Sequence, residues 1–202
     1  MGIIRNEFER NLRRVANLVE VYESVTSSGQ GRRTVEEQDI LRAAVVFLHA
    51  SLEDLLRELL REHLPSASYS VWKELEIPLA GMNGPKFSLY HLATWRDSTV
   101  QEVFQDSVGA FLEKSNFNHV ADLRNALNQL ELDPQIVTPF ADDLGPLMRR
   151  RHHVVHRFDV DRGLKGSGEH VARSLSLSGV NRWQSAVREF GECVLERLEE
   201  EE

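Results

Sequence analysis

Cysteine is almost missing from these 202 residues, and Cys193 stands alone. One thiol excludes an intramolecular disulfide framework and a Cys-rich zinc site, and it points to a reducing, cytoplasmic setting. Long apolar runs are absent as well. No stretch approaches the roughly 20 apolar residues of a membrane span, and the opening "MGIIRNEFERNLRRV" carries charge at nearly every turn, unlike a signal peptide. No membrane association is expected. Gly2 lacks the serine or threonine that a myristoylation signal needs at the sixth position, which is Asn6. Sustained two-residue alternation occurs nowhere and no fixed-period repeat appears, so an all-α, non-solenoid fold is expected. A GxSxG nucleophile elbow and a Gly-rich phosphate loop with lysine are also missing, which leaves no local signature for those hydrolases or nucleotide sites.

What is present suits one domain over residues 1–202. The chain is 41% hydrophobic and 28% charged, an ordinary balance for a compact protein. Its formal charge of −8 argues against attachment to nucleic acid through an overall positive field, so a polyanion would have to meet a local patch.

Helical periodicity runs through most of the chain. Phe8, Leu12, Val15, Val19 and Tyr22 form the stripe of a helix over about residues 4–25. Thr34 and Glu37 have capping-box spacing and open a long helix over about 35–64, striped by Leu41, Ala44, Val45, Leu48, Leu52, Leu55, Leu56 and Leu59 and stopped by Pro65. An inserted helical region over about 66–132 starts with a short helix around Trp72. A loop with Pro78, Gly81, Gly84 and Pro85 follows, and helical spacing returns through Val108 and Leu112 and again through Leu123 and Leu127. Thr138 and Pro139 read as N-cap and first residue of a helix over about 138–158, with a kink or restart expected at Gly145–Leu147. Residues 159–174 hold three glycines and no period, and read as an exposed loop or at most a small ribbon. A last helix over about 178–199 buries Val180, Trp183, Val187, Phe190, Val194 and Leu198.

The chemistry concentrates in "MRRRHHVVHRF", Met148 to Phe158. On a helical wheel Leu144, Leu147, Met148, Val154, Val155 and Phe158 lie within roughly 60° of Arg151, which places that guanidinium in the apolar stripe. An unpaired buried charge costs several kcal/mol, so Arg151 needs a carboxylate, a protein interface or an anion. His152 and His156 lie one turn apart beside it. As a metal pair they lack the glutamate that follows the first histidine in zinc-protease helices, since His153 stands there, and the neighbouring arginines repel a dication. No metal and no cofactor are expected. Cys193 falls on the core side of the last helix, where a free cysteine is usually just buried.

Arg151, four residues and then His156 give R-x4-H near the end of a helix in an all-α chain. The motif is followed by a Gly-rich loop and "SGVNRWQSAVREFGECV", and preceded by "ASLEDLLREL" and "KSNFNHVADLRNALNQLELD". In these features the chain resembles the HEPN superfamily, in particular the bacterial endoribonucleases related to ribonuclease L and prophage-encoded toxins. His152 stands where many members carry Asn or Asp. The resemblance implies an antiparallel helical bundle with extra helices inserted in its middle. It also implies a metal-independent endoribonuclease, working as a homodimer with a composite active site, that acts on RNA as a toxin or phage-defence effector under an antitoxin or other regulatory partner.

The residue types agree with such chemistry. Metal-free RNA cleavage needs a base for the ribose 2′-OH, an acid for the leaving 5′-oxygen and a cation for charge growing on the phosphoryl oxygens. Arg151, His156 and His152 are the expected catalytic residues, with Glu53 or Ser51 orienting them from the long helix. Arg149, Arg150, His153 and Arg157 are expected to draw in the RNA phosphates, and the products would be a 2′,3′-cyclic phosphate and a 5′-hydroxyl. The alternative is a non-catalytic HEPN module that binds RNA or nucleotide or serves as a dimeric scaffold.

Overall fold

A computed structural model describes residues 1–26, 34–75, 77, 79–80, 93–157, 159 and 173–201. Among them are seven α-helices and no strand, so the protein is all-α. The helices are α1 (Gly2–Thr26), α2 (Val35–His63), α3 (Tyr69–Leu75), α4 (Val100–Lys114), α5 (Val120–Gln129), α6 (Ala141–Arg157) and α7 (Leu177–Glu201).

The long second helix is the axis of the fold, because α1, α4, α5, α6 and α7 all pack against it. Its start is built as the sequence indicates: the Thr34 hydroxyl accepts the Glu37 N–H, and the Glu37 carboxylate accepts the Thr34 N–H. Thr99 and Glu102 repeat the device at the start of α4. Each box satisfies orphan donors that a helix start cannot pair internally. The expected stripe of α1 is its buried face, and with Leu48, Leu52 and Leu56 of α2, Leu112 of α4, Leu123 of α5, Leu144 of α6 and Phe190 of α7 it forms one continuous core. Gly191 lets α7 come close: a Cβ there would lie 2.5 Å from the Phe8 ring and 2.9 Å from Leu55. Arg5, paired with Glu192 and Glu199, and Arg188, paired with Glu9, then tie α1 to α7 at the surface. No helix among the described residues is long and apolar enough to cross a membrane.

The segment before the motif helix differs from expectation. Thr138 and Pro139 do not cap it, because they lie inside a 3-10 turn, Pro134–Phe140, whose own cap is Asp133. Pro139 has no N–H to give an α-helical bond, so α geometry begins only beyond it, at Ala141. Pro146 causes no restart, and α6 continues through it to Arg157. The loop expected around Pro78, Gly81, Gly84 and Pro85 lies largely outside the described residues, as does most of the segment 159–174. At its edge Asp159 is a correction to the exposed-loop reading, being only 1% exposed. That carboxylate enters the interior because two arginines wait for it there.

Candidate active site

Seen from α2, the site begins as a polar line through an otherwise apolar face. His49, Glu53 and Arg57 are spaced four residues apart and therefore lie one above another on the helix. All three grip the short connector between α4 and α5. The buried His49 ring places Nε2 3.1 Å from the Phe117 carbonyl oxygen, the Phe117 N–H donates to Glu53 Oε1 at 3.4 Å, and the Arg57 guanidinium donates to the carbonyls of Leu112 and Ser115. A connector packed against a helix cannot leave its peptide groups bare, and this line of side chains satisfies them.

The connector and α2 together hold Arg151. Its Nη1 donates to Asn118 Oδ1 at 3.2 Å, and its Nη2 lies 3.8 Å from Glu53 Oε2. Asn118 is steadied in turn by donating to Asn116 at 2.9 Å. Arg151 is thus a partly buried cation with the carboxylate partner that its place on the wheel demanded. It sits at the rim of the core and not in its middle, because the apolar stripe of α6 ends early: Leu144, Leu147 and Met148 are buried, Val154 is half-buried and Val155 is 45% exposed. Phe158, expected on the same stripe, lies outside the described residues.

Burial alone would raise the Glu53 carboxyl. The close approach and charge of His49 outweigh it, joined by the Phe117 N–H and the charge of Arg151, and the group stays below the ordinary glutamate value. Glu53 is therefore an anion at neutral pH, able to orient a cation but unsuited to donate a proton.

His152 and His156 stand exposed one turn apart, with ring centroids 4.6 Å from each other and the rings tilted by 47°. The His152 imidazole is held below the ordinary histidine value, first by desolvation against its neighbours and then by the positive charge that His156, His153, Arg157 and Arg151 bring near. A lowered value keeps the ring neutral, and so able to accept a proton, further into the acidic range. In a titration of the ring Cε1 protons, the His152 midpoint is expected below that of a free histidine, and His156→Ala should move it upward. An unchanged midpoint in that variant would show that the two rings do not interact.

The remaining basic residues divide. Arg149 and Arg157 are exposed, and Arg149 reaches back over Gly145, where a Cβ would lie 3.4 Å from its guanidinium. His153 is half-buried, and its carbonyl accepts the Asp159 N–H. Arg150 does not face outward as a phosphate ligand. Its Nη2 lies 2.6 Å from Asp159 Oδ2 and 2.6 Å from the Arg173 carbonyl oxygen, and desolvation lowers its affinity for a proton although the Asp159 charge opposes this. Arg42 meets the same Asp159 oxygen at 3.2 Å. Arg150 thus belongs to an internal network behind the motif.

Ser51 is not an orienting group for Arg151. Its hydroxyl is turned to the Phe47 carbonyl one turn back, on the groove that Asn11, Asp54 and Arg14 line between α1 and α2. A two-residue offset on a helix explains this, since at about 100° per residue Ser51 and Glu53 point to nearly opposite sides. Sequence reasoning passed over Asn118, Asp159 and His49. Only His49 had a readable signal: it interrupts the stripe of Val45, Leu52 and Leu56, where a histidine calls for polar partners.

Among the described residues no three His, Cys, Asp or Glu side chains converge as a metal-holding group. Chemically the cluster offers a fixed cation at the rim of the core and a pair of exposed, interacting imidazoles on the same helix. No family model, curated protein or solved structure matches this chain.

Proposed function

We propose that the chain is a HEPN-type, metal-independent endoribonuclease. The observation that supports this reading most is the division of labour on α6: Arg151 is anchored by Glu53 and Asn118 while His152 and His156 stand free and adjacent one turn away. In the proposed reaction one histidine takes the proton of the ribose 2′-OH, and the 2′-oxygen attacks the neighbouring phosphorus. The bond from phosphorus to the 5′-oxygen then breaks, and a protonated histidine returns a proton to that oxygen. Arg151 stabilises the charge on the non-bridging oxygens. Arg149 and Arg157 guide the phosphate backbone, and the ends formed are a 2′,3′-cyclic phosphate and a 5′-hydroxyl.

A single α6 presents two imidazoles and one anchored arginine. In a homodimer two such faces would meet, and exposed Val155, on the flank of His152, adds an apolar contact to that meeting. Such an enzyme fits a cytoplasmic toxin or defence effector held in check by a regulatory partner.

Purified chain is expected to cleave single-stranded RNA in excess EDTA and to leave cyclic phosphate ends. Cleavage that disappears with the chelator would refute the mechanism.

A further inference from the structure

Behind the proposed site lies a histidine that the mechanism does not use. His49 has no solvent exposure, and its two ring nitrogens face two different acceptors: Nε2 is within hydrogen-bond distance of the Phe117 carbonyl oxygen at 3.1 Å, whereas Nδ1 lies at ion-pair separation, 3.6 Å, from Glu53 Oε2 and has no hydrogen-bond partner among the described residues. A carbonyl oxygen can only accept, so Nε2 must carry a hydrogen. A carboxylate oxygen also only accepts. With a neutral ring the Nδ1 lone pair would face that carboxylate, whereas a hydrogen on both nitrogens matches both neighbours.

On α2 the His49 ring faces Glu53, with Arg57 one turn beyond that carboxylate. From α6, Arg151 reaches the same Glu53 oxygen at 3.8 Å, and the connector adds the Phe117 peptide and Asn118.

We infer that His49 is a positioning residue for Arg151: as an imidazolium it shares the Glu53 carboxylate with Arg151 and fixes that carboxylate against the connector. This inference rests on the proposed ribonuclease reading for its catalytic consequence. Two arrangements of the site would differ in charge. With Glu53 and Arg151 alone, the pair is neutral and the guanidinium is largely spent on its partner. With charged His49 at the same carboxylate, one anion serves two cations and the cluster keeps a net positive charge for an incoming phosphate. His49 also makes the position of Glu53 depend on the Phe117 peptide, the same stretch of connector that carries Asn118. Both contacts of Arg151 are thereby referred to one rigid frame, the arrangement a preorganised site requires.

Two measurements test this. Nitrogen-15 NMR of the histidine rings near neutral pH should find both His49 nitrogens protonated in the wild-type chain, and Nδ1 unprotonated in Glu53→Gln, where the anion is gone. Kinetics on single-stranded RNA should show His49→Gln, whose amide can still donate to the Phe117 carbonyl, losing kcat by about 10–100-fold with KM little changed, the usual cost of removing a supporting group. Circular dichroism checks that this variant folds. A neutral His49 ring in the wild-type chain, or wild-type kcat in a folded His49→Gln, would overturn the inference. A doubly protonated His49 in a chain that cleaves no RNA would instead refute the ribonuclease reading while upholding the shared carboxylate.

Discussion

Alanine at His156 is expected to lower RNA cleavage by about 10²–10⁴-fold, the range for losing a general acid or base, and alanine at Arg151 by about 10²–10³-fold, the range for losing a charge stabiliser. Stability should respond differently to the two. His156 is exposed and outside the core, so its loss should leave unfolding within about 0.5 kcal/mol of wild type. Arg151 is partly buried between Asn118 and Glu53, but its removal still leaves Glu53 with His49 and the Phe117 N–H, and a modest cost is expected. Arg151→Lys should rescue little, because an ammonium cannot span Asn118 and Glu53 while also presenting a flat donor edge to a phosphate. In the double variant the losses should not multiply, since residues acting as one unit are not additive. The measurements are initial rates on a labelled single-stranded RNA in EDTA, with circular dichroism and size exclusion as folding checks. Undiminished cleavage by both single variants would remove α6 from the chemistry.

Replacing Asp159 by alanine should cost the most stability of any single polar change near the site. The carboxylate is 1% exposed and carries two guanidinia, Arg42 Nε at 3.2 Å and Arg150 Nη2 at 2.6 Å. Breaking a buried pair from the acid side leaves the cations unneutralised, a penalty of about 3–5 kcal/mol. A chain of this size loses roughly 2–4 °C of Tm per kcal/mol, so Asp159→Ala should melt roughly 6–20 °C lower. The backbone adds to this: Asp159 has φ 58°, a left-handed conformation that Asp and Asn tolerate better than alanine, and its N–H and carbonyl bond His153 and Arg173. Asp159→Asn keeps that tolerance and one acceptor oxygen while losing the charge, and should fall between wild type and alanine. Arg42 retains Asp39 at 2.8 Å, but that carboxylate is largely exposed and replaces little of what is lost. Thermal unfolding followed by circular dichroism gives the order. Equal Tm for all three proteins would mean that the buried charges are not held by one another.

Asp159 also bears on the proposed site. It closes the C-terminal end of α6 by donating to the His153 carbonyl, and Gln38 pairs with both peptide groups of Leu175 to anchor the chain that enters α7. The turn bearing His152 and His156 is thus backed on its inner side by Arg150, Asp159 and Arg42. This explains why adjacent arginines in "RRR" have different fates: successive residues on a helix point about 100° apart, so Arg149 faces solvent, Arg150 the buried aspartate and Arg151 the rim where Glu53 waits.

Helices were legible in the sequence because their signal is local. A stripe such as Phe8, Leu12, Val15, Val19 and Tyr22, or a capping box such as Thr34 and Glu37, is written within a few turns and read there, and burial follows it closely. Glu53 was legible only as one of two candidates, with Ser51, flanking the stripe of α2. The rest depended on which faces meet. Arg42 and Asp159 are 117 residues apart, His49 and Phe117 are 68 apart, and Arg151 and Asn118 are 33 apart. No local period encodes such pairs. An aspartate beside a Gly-rich stretch reads as solvated until two helices bring arginines over it, and Ser51 and Glu53 look equally available until α1 covers one and α6 approaches the other. By itself the sequence determined an all-α chain with its cationic chemistry gathered on one helix. Only the tertiary structure decided which of those cations face outward, because a buried charge goes where a partner is, and the partners come from far along the chain.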